Sequence, residues 1–128
     1  MTQQLNSKDI IVRDDGFHAL DAEAELILAP DTPPEELVDH LHRDLIGIDF
    51  PAFTDGRGFS LARRLRELGF QGRLRATGRL IADQYAMARR VGFDEVQIPV
   101  DIAERQPEAQ WLARADWRAW DHRAQLAG

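Results

Sequence analysis

The hydrophobic pattern of the chain alternates between short apolar runs and segments in which apolar residues recur every three or four positions. The runs predict β-strands, and the spaced segments predict amphipathic helices. Strands are predicted at residues 26–29, 45–50, 73–76 and 95–100, and helices from Thr32, at 60–68 and at 79–91. Because strands and helices alternate, we expect parallel strands joined by right-handed crossovers.

The two ends of the chain depart from this repeat. Residues 10–13 and 17–20 flank an Asp-Gly turn, which favours a β-hairpin within residues 1–22. Residues 103–126 have the charged, periodic pattern of one C-terminal helix. We therefore expect a hairpin and a helix as appendages of the central repeat.

These elements predict an α/β fold with a mainly parallel sheet of about four strands. The sheet is either a partial (β/α) barrel or an open, doubly wound sheet, and the pattern does not separate the two. Pro99 lacks a backbone N–H, so the last strand is expected at an edge. A chain of 128 residues is one domain's worth, and we expect residues 1–128 to form a single domain.

Composition narrows the classes of function. The chain has no cysteine, which removes disulfides, thiol redox chemistry and cysteine-ligated metal clusters. It has no apolar run near the roughly 20 residues of a membrane helix, and residues 1–8 lack the apolar core of a signal peptide. These features predict a cytoplasmic protein that does not bind membranes.

Charge is unevenly distributed along the chain. The net charge is −6, yet residues 56–100 hold nine arginines against four acidic residues. A basic middle segment in an acidic protein indicates a local anion site and not a nucleic-acid surface. Solvated helix faces are the simpler explanation for most of these arginines.

The loop that follows the second predicted strand is the main candidate site. It contains hydroxyls, glycines, a carboxylate and a guanidinium, and it leads into a helix N-terminus, where unpaired N–H groups favour an anion. Arg75 is expected to emerge at the same rim from the end of the next strand. The predicted anion-binding residues are Thr54, Asp55, Gly56, Arg57, Gly58, Ser60, Arg75 and Thr77. The alternative is structural, with Asp55 bracing Arg57 or Arg75 and Ser60 capping its helix.

A second candidate surface lies nearer the C-terminus. Asp83 and Gln84 can reach the rim or face a partner, and exposed tryptophans are typical anchors of protein interfaces. The predicted partner surface comprises Asp83, Gln84, Trp111, Trp117 and Trp120. The alternative is that the C-terminal helix covers the sheet and buries some of the indoles.

Known cofactor motifs are not evident. Gly56-x-Gly58 is too short for a dinucleotide fingerprint, and no P-loop lysine is present. His40 and His42 are two positions apart and would point to different sides of a helix, so no metal site is predicted. Whether the protein catalyses a reaction stays open.

Two segments resemble the signature of a proteobacterial family known as domain of unknown function 934. The first is Phe50-Pro51-Ala52-Phe53-Thr54-Asp55-Gly56-Arg57-Gly58-Phe59-Ser60-Leu61-Ala62, and the second runs from Gly72 through Asp83-Gln84 to Asp94. Genes of that family usually lie beside those for assimilatory sulfite reductase and adenylyl-sulfate reductase. The resemblance implies an accessory protein of sulfite reduction that docks on sulfite reductase. The alternative is a small enzyme or sensor for an oxyanion or phosphate ligand, a class that includes oxidoreductases.

Overall fold

A computed structural model describes residues 9–118 of the chain. Its strands are β1 (Ile10–Arg13), β2 (Gly16–Ala19), β3 (Leu26–Leu28), β4 (Leu45–Phe50), β5 (Arg73–Gly78) and β6 (Glu95–Ile98). Its α-helices are α1 (Arg57–Glu67), α2 (Tyr85–Val91), α3 (Val100–Arg105) and α4 (Glu108–Leu112). Two 3-10 helices, Pro34–His40 and Ala82–Gln84, complete the set.

The six strands form one mixed sheet in the order β2-β1-β6-β5-β4-β3. Strands β3 to β6 are parallel, while β1 is antiparallel to both β2 and β6. The α/β class and all six predicted strand positions are confirmed. The expectation of a mainly parallel sheet of about four strands is wrong, because the N-terminal hairpin joins the sheet instead of standing apart as an appendage.

Strand β6 lies inside the sheet and not at its edge. It pairs with β1 on one side and with β5 on the other. Pro99 does not interfere, because β6 ends at Ile98 and Pro99 is the N-cap of α3. A proline that ends a strand and starts a helix loses no ladder hydrogen bond.

The parallel strands follow one another across the sheet in chain order. Since every crossover then moves in the same direction, right-handed connections place their helices on one face of the sheet. Helix α1 contacts both the 3-10 helix Pro34–His40 and α2, as neighbours on one face must. The sheet therefore lacks, among its parallel strands, the reversal of strand order that defines a doubly wound fold.

The helix-covered face carries the hydrophobic core. Alternate residues of β4, β5 and β6 point into it and are buried, as the period of a β-strand requires. These residues are Ile46, Ile48, Phe50, Leu74, Ala76, Val96 and Ile98. We call this side of the sheet the apolar face.

The intervening residues make the opposite side polar. Arg75 and Glu95 are fully buried there and are joined by a 2.8 Å ion pair. Residues 20–25 connect the edge strands β2 and β3 by crossing this polar face, and the Ala22 carbonyl accepts a hydrogen bond from Arg75 Nη1. A strap of six residues thus covers a sheet face that no helix of the described chain occupies.

The C-terminal region is helical, but not as one helix. Helices α3 and α4 are separated at Gln106 and Pro107, where the proline is the N-cap of α4. The Glu108 carboxylate accepts a 2.8 Å hydrogen bond from the Phe17 backbone N–H, so α4 protects the outer edge of β2. Residues 119–126 of the predicted helix lie outside the described residues.

Candidate functional site

The loop of residues 51–57 leaves the carboxyl end of β4 and leads into α1, as predicted. Asp55 organises it by accepting hydrogen bonds from Arg57, at 3.1 Å from the backbone N, 3.0 Å from Nε and 2.7 Å from Nη2. These side-chain and backbone hydrogen bonds lower the pKa of Asp55 to about 2. The guanidinium of Arg57 is thus already paired with a carboxylate, although more than half of the Arg57 side chain stays exposed.

Phe53 is the most prominent side chain of this loop. It is 52% exposed, although a phenylalanine normally gains from burial. Gln84 Nε2 donates a 2.7 Å hydrogen bond to the Phe53 carbonyl, and the Asp55 N–H donates to the carbonyl of Ala52. The 3-10 helix Ala82–Gln84 therefore holds the loop in place through Gln84, and the Phe53 side chain faces solvent.

Gly78 brings the ends of β4 and β5 together. Its φ is +131°, and a Cβ atom there would collide with the Phe50 carbonyl oxygen. The next residue, Arg79, donates its N–H to that same oxygen at 2.9 Å. Only glycine fits both the positive φ and the close approach, so this position determines where Arg79 leaves the sheet.

A cavity of about 290 Å³ opens beside Phe53 at the carboxyl ends of the strands. Ile81 and Ile102 line its apolar part, and the guanidinium groups of Arg79 and Arg105 lie at the same cavity. Arg79 pairs with Asp101 at 2.7 Å, whereas the Arg105 side chain forms no hydrogen bond or ion pair within residues 9–118, although its charge acts on Asp101. We call Phe53 and this cavity the carboxyl-end surface.

The expected convergence of Arg57 and Arg75 at one rim is wrong. Arg75 lies in the middle of β5, opposite Gly47 on β4 and Glu95 on β6, and its side chain points to the polar face. On that face the Arg75 side chain is buried and donates hydrogen bonds to Glu95, Gln97, Asp21 and the Ala22 carbonyl. Strand β5 continues two residues past its predicted end, and the rim is reached only at Gly78.

The other predicted anion-binding residues are dispersed. Thr54 is exposed in the loop, Gly56 is the N-cap of α1, and Gly58 is buried against Phe50. Ser60 is exposed on the fourth residue of α1 and does not cap it. Thr77 lies on β5 in register with Asp49 and Gln97, on the same face as Arg75. A role in anion binding stays a prediction for those at the loop.

The predicted partner surface is also divided. Trp111 is 1% exposed, packs edge-on against Tyr85 with ring centroids 6.2 Å apart, and donates its indole N–H to the Gln106 carbonyl. It belongs to the core and presents no surface. Asp83 is exposed and pairs with Arg114, and Gln84 holds the loop as described. Trp117 is partly exposed, and Trp120 lies outside the described residues.

Sequence reasoning did not include Ile102 and Arg105 among the site residues. The predicted last strand reached Val100 and the predicted helix began at residue 103, so the start of α3 directly after β6 was missed. The signal was Pro99, since proline is common at the beginning of a helix.

The family comparison agrees with the signature quoted above. The model of a family described as a bacterial protein of unknown function, DUF934, matches residues 25–120. This chain belongs to the DUF934 family. The match begins just before β3, and it includes both the loop of residues 51–57 and the cavity beside it. No curated protein and no solved structure matches the chain.

No group of three or more histidine, aspartate and glutamate side chains between residues 9 and 118 has the geometry to hold a metal ion. No helix in that range is long and apolar enough to cross a lipid bilayer.

Proposed function

We propose that this DUF934 protein is an accessory protein of assimilatory sulfite reduction that docks on sulfite reductase through the carboxyl-end surface. The choice of partner rests on the genomic setting that the family resemblance implies. The choice of surface rests on one observation: Phe53 is exposed on a loop that hydrogen bonds hold in place.

A fixed, exposed aromatic ring suits the role of an interface anchor. Large aromatic residues dominate binding energy when they are buried at the centre of an interface. The bond from Gln84 to the Phe53 carbonyl and the Asp55–Arg57 pair restrict the loop before any partner arrives. Less conformational entropy is then lost on binding, which raises affinity.

The cavity beside the ring defines what the partner should present. Ile81 and Ile102 favour an apolar side chain, while Arg79 and Arg105 favour a carboxylate close to it. We therefore expect the surface of sulfite reductase to offer an apolar residue flanked by acidic residues.

Co-purification from sulfate-grown cells tests the proposal. The tagged protein should recover sulfite reductase, and Phe53→Ala should weaken the purified complex at least about tenfold, as expected for an interface anchor. Val38→Ala is the matched control, because Val38 is 55% exposed and does not line the cavity. Failure to associate, together with normal reductase activity in a deletion strain, would reject the proposed function.

The alternative is a small enzyme or sensor that binds an oxyanion or phosphate ligand at the same rim. The observation in its favour is Arg105, which forms no ion pair within the described chain and lies beside the cavity. Calorimetry with sulfite, sulfate, phosphate and adenylyl-sulfate would detect such a ligand. Affinity that is unchanged in both Arg57→Ala and Arg105→Ala would count against it.

A further inference from the structure

A second cavity lies at the opposite end of the sheet, beside the amino ends of β5 and β6. Its volume is about 550 Å³. The residues that line it include Arg66, Arg73, Arg89 and Arg118. We call it the arginine cavity. Asp94 is the single acidic residue among the described residues that line it. Carboxylates outside the lining also pair with these arginines: Asp14 pairs with Arg89, and Asp21 and Glu95 pair with Arg73.

Arg66 has a structural role in the wall of this cavity. Its guanidinium donates five hydrogen bonds, to the carbonyls of Phe70, Gly72 and Gly92 and to Asp94. These bonds tie the end of α1 to the turns that precede β5 and β6. Because all five N–H groups of a guanidinium are used, Arg66 contributes charge but no free donor.

The guanidinium groups of Arg73 and Arg118 have N–H donors that form no hydrogen bond within the described residues. Arg73 donates hydrogen bonds to Asp21 and Glu95 through Nη2 alone. Its Nε and Nη1 atoms make no hydrogen bond within the described chain, and the Arg73 side chain is 41% exposed. Arg118 is exposed and its guanidinium lies 4.6 Å from the ring centroid of Trp117. It makes no hydrogen bond within residues 9–118.

Trp117 contacts two of these guanidinium groups, of which that of Arg89 already donates hydrogen bonds to Asp14 and to the Phe93 carbonyl. The Arg89 guanidinium lies 4.8 Å from the same ring, and the Trp117 indole N–H donates to Asp14 at 3.3 Å. Cation–π contacts of this kind fix the orientation of arginine without using its N–H donors. The donors of Arg118 therefore remain available to a ligand in the cavity.

We propose that the arginine cavity binds a small ligand that carries multivalent phosphate or sulfate groups. Arginine forks match the oxygens of such groups, and charge-assisted hydrogen bonds of this type are about twice as strong as neutral ones. Arg66, Arg73 and Arg89 are each paired with a carboxylate, so the uncompensated positive charge at the cavity belongs to Arg118, and it attracts anions. A purely structural role accounts for Arg66 but not for the unused donors of Arg73 and Arg118.

This proposal is independent of the proposed function, since the cavity lies at the other end of the sheet from Phe53. Calorimetry on the full-length chain with inorganic pyrophosphate, phosphate and sulfate, at an ionic strength held constant with sodium chloride, tests it. We expect saturable binding of pyrophosphate at about 1 mM or tighter. The phosphate and sulfate titrations then show which of the two chemistries the cavity prefers.

Charge-matched variants locate the site. Arg118→Gln and Arg73→Gln should each weaken pyrophosphate binding about tenfold, whereas Arg63→Gln, on the exposed part of α1, should leave it unchanged. Pyrophosphate should also shift the indole N–H resonance of Trp117. Equal weakening in all three variants would mean diffuse electrostatic attraction, and absence of saturable binding would mean no site. Either result would overturn the proposal.

Discussion

The two faces of the sheet are buried by different means. The apolar face is sealed by interdigitating hydrophobic side chains, with Phe50 packed against Phe59 and Phe93 at centroid distances of 5.0 and 5.9 Å. The polar face is sealed by an ion-pair network under the strap of residues 20–25. There Glu95 accepts hydrogen bonds from three arginines, Arg13, Arg73 and Arg75.

The two faces should differ in how much stability is lost when one buried side chain is replaced. An apolar core loses contacts and gains a cavity when a side chain is shortened. A buried charge that loses its partner keeps the full cost of desolvation without compensation. Burial alone would raise the pKa of Glu95, but the hydrogen bonds and charge of the surrounding arginines lower it. The polar face should therefore be the more sensitive to single substitutions.

The largest effect is expected for Glu95→Ala. This change leaves Arg75 buried and removes its nearest carboxylate, and it should lower the free energy of unfolding by about 3–5 kcal/mol. Denaturation in urea measures the loss. The joint replacement of Arg75 by Met and Glu95 by Leu should cost less than Glu95→Ala, because no buried charge is left unpaired. If the joint replacement costs more, pairing is not what seals this face.

A somewhat smaller effect is expected on the apolar face. Leu74→Ala removes a fully buried side chain next to Arg75 in the same strand and should cost about 3 kcal/mol. Comparison of its urea midpoint with that of Glu95→Ala ranks the two faces directly. A larger loss in Leu74→Ala would reverse the proposed ranking.

The smallest effect is expected in the pH dependence of the unfolding free energy, through Asp21 in the strap. Burial alone would raise the pKa of Asp21, but hydrogen bonds and charge from Arg13 and Arg73 lower it from 3.8 to about 2. Its contribution to stability is therefore complete above about pH 4 and is lost as the pH falls toward 2. Asp21 is 42% exposed, so this contribution should be below about 1 kcal/mol.

Asp21→Asn should accordingly flatten the decline of unfolding free energy between pH 4 and pH 2 relative to the unchanged protein. The measurement is a series of urea unfolding curves across that range. Asp39→Asn is a suitable control, since Asp39 is exposed and its side chain forms no hydrogen bond or ion pair within residues 9–118. An unchanged slope in Asp21→Asn would show that the strap carboxylate does not couple to folding.

Hydrophobic pattern and turn residues located the six strands of the described residues, because both are local properties of the sequence. It did not give the order of the strands, which depends on pairings between distant segments such as Ile10 with Ile98. The helix predicted at residues 103–126 ignored Pro107, although proline inside a helical pattern commonly marks a boundary.

The candidate site was predicted in part. The loop after β4 was located correctly because a glycine-containing segment between a strand and a helix is a strong local signal. Arg75 was misplaced although its direction was available from the sequence: Arg73, Arg75 and Thr77 alternate with Leu74 and Ala76, which puts them on the face opposite the core. The cavity beside Phe53 depends on three segments meeting, and no local pattern predicts that.

The pairing of β1 with β6 constrains how the chain reaches its native state. Strand β1 has as its inner neighbour β6, the last strand of the described residues, and 88 positions separate the paired residues Ile10 and Ile98. Contacts at such separation slow folding, because a long stretch of chain must be ordered before they form. The N-terminal hairpin must therefore remain with one edge unpaired until residues 95–98 have been synthesised, and this side of the sheet is completed only then.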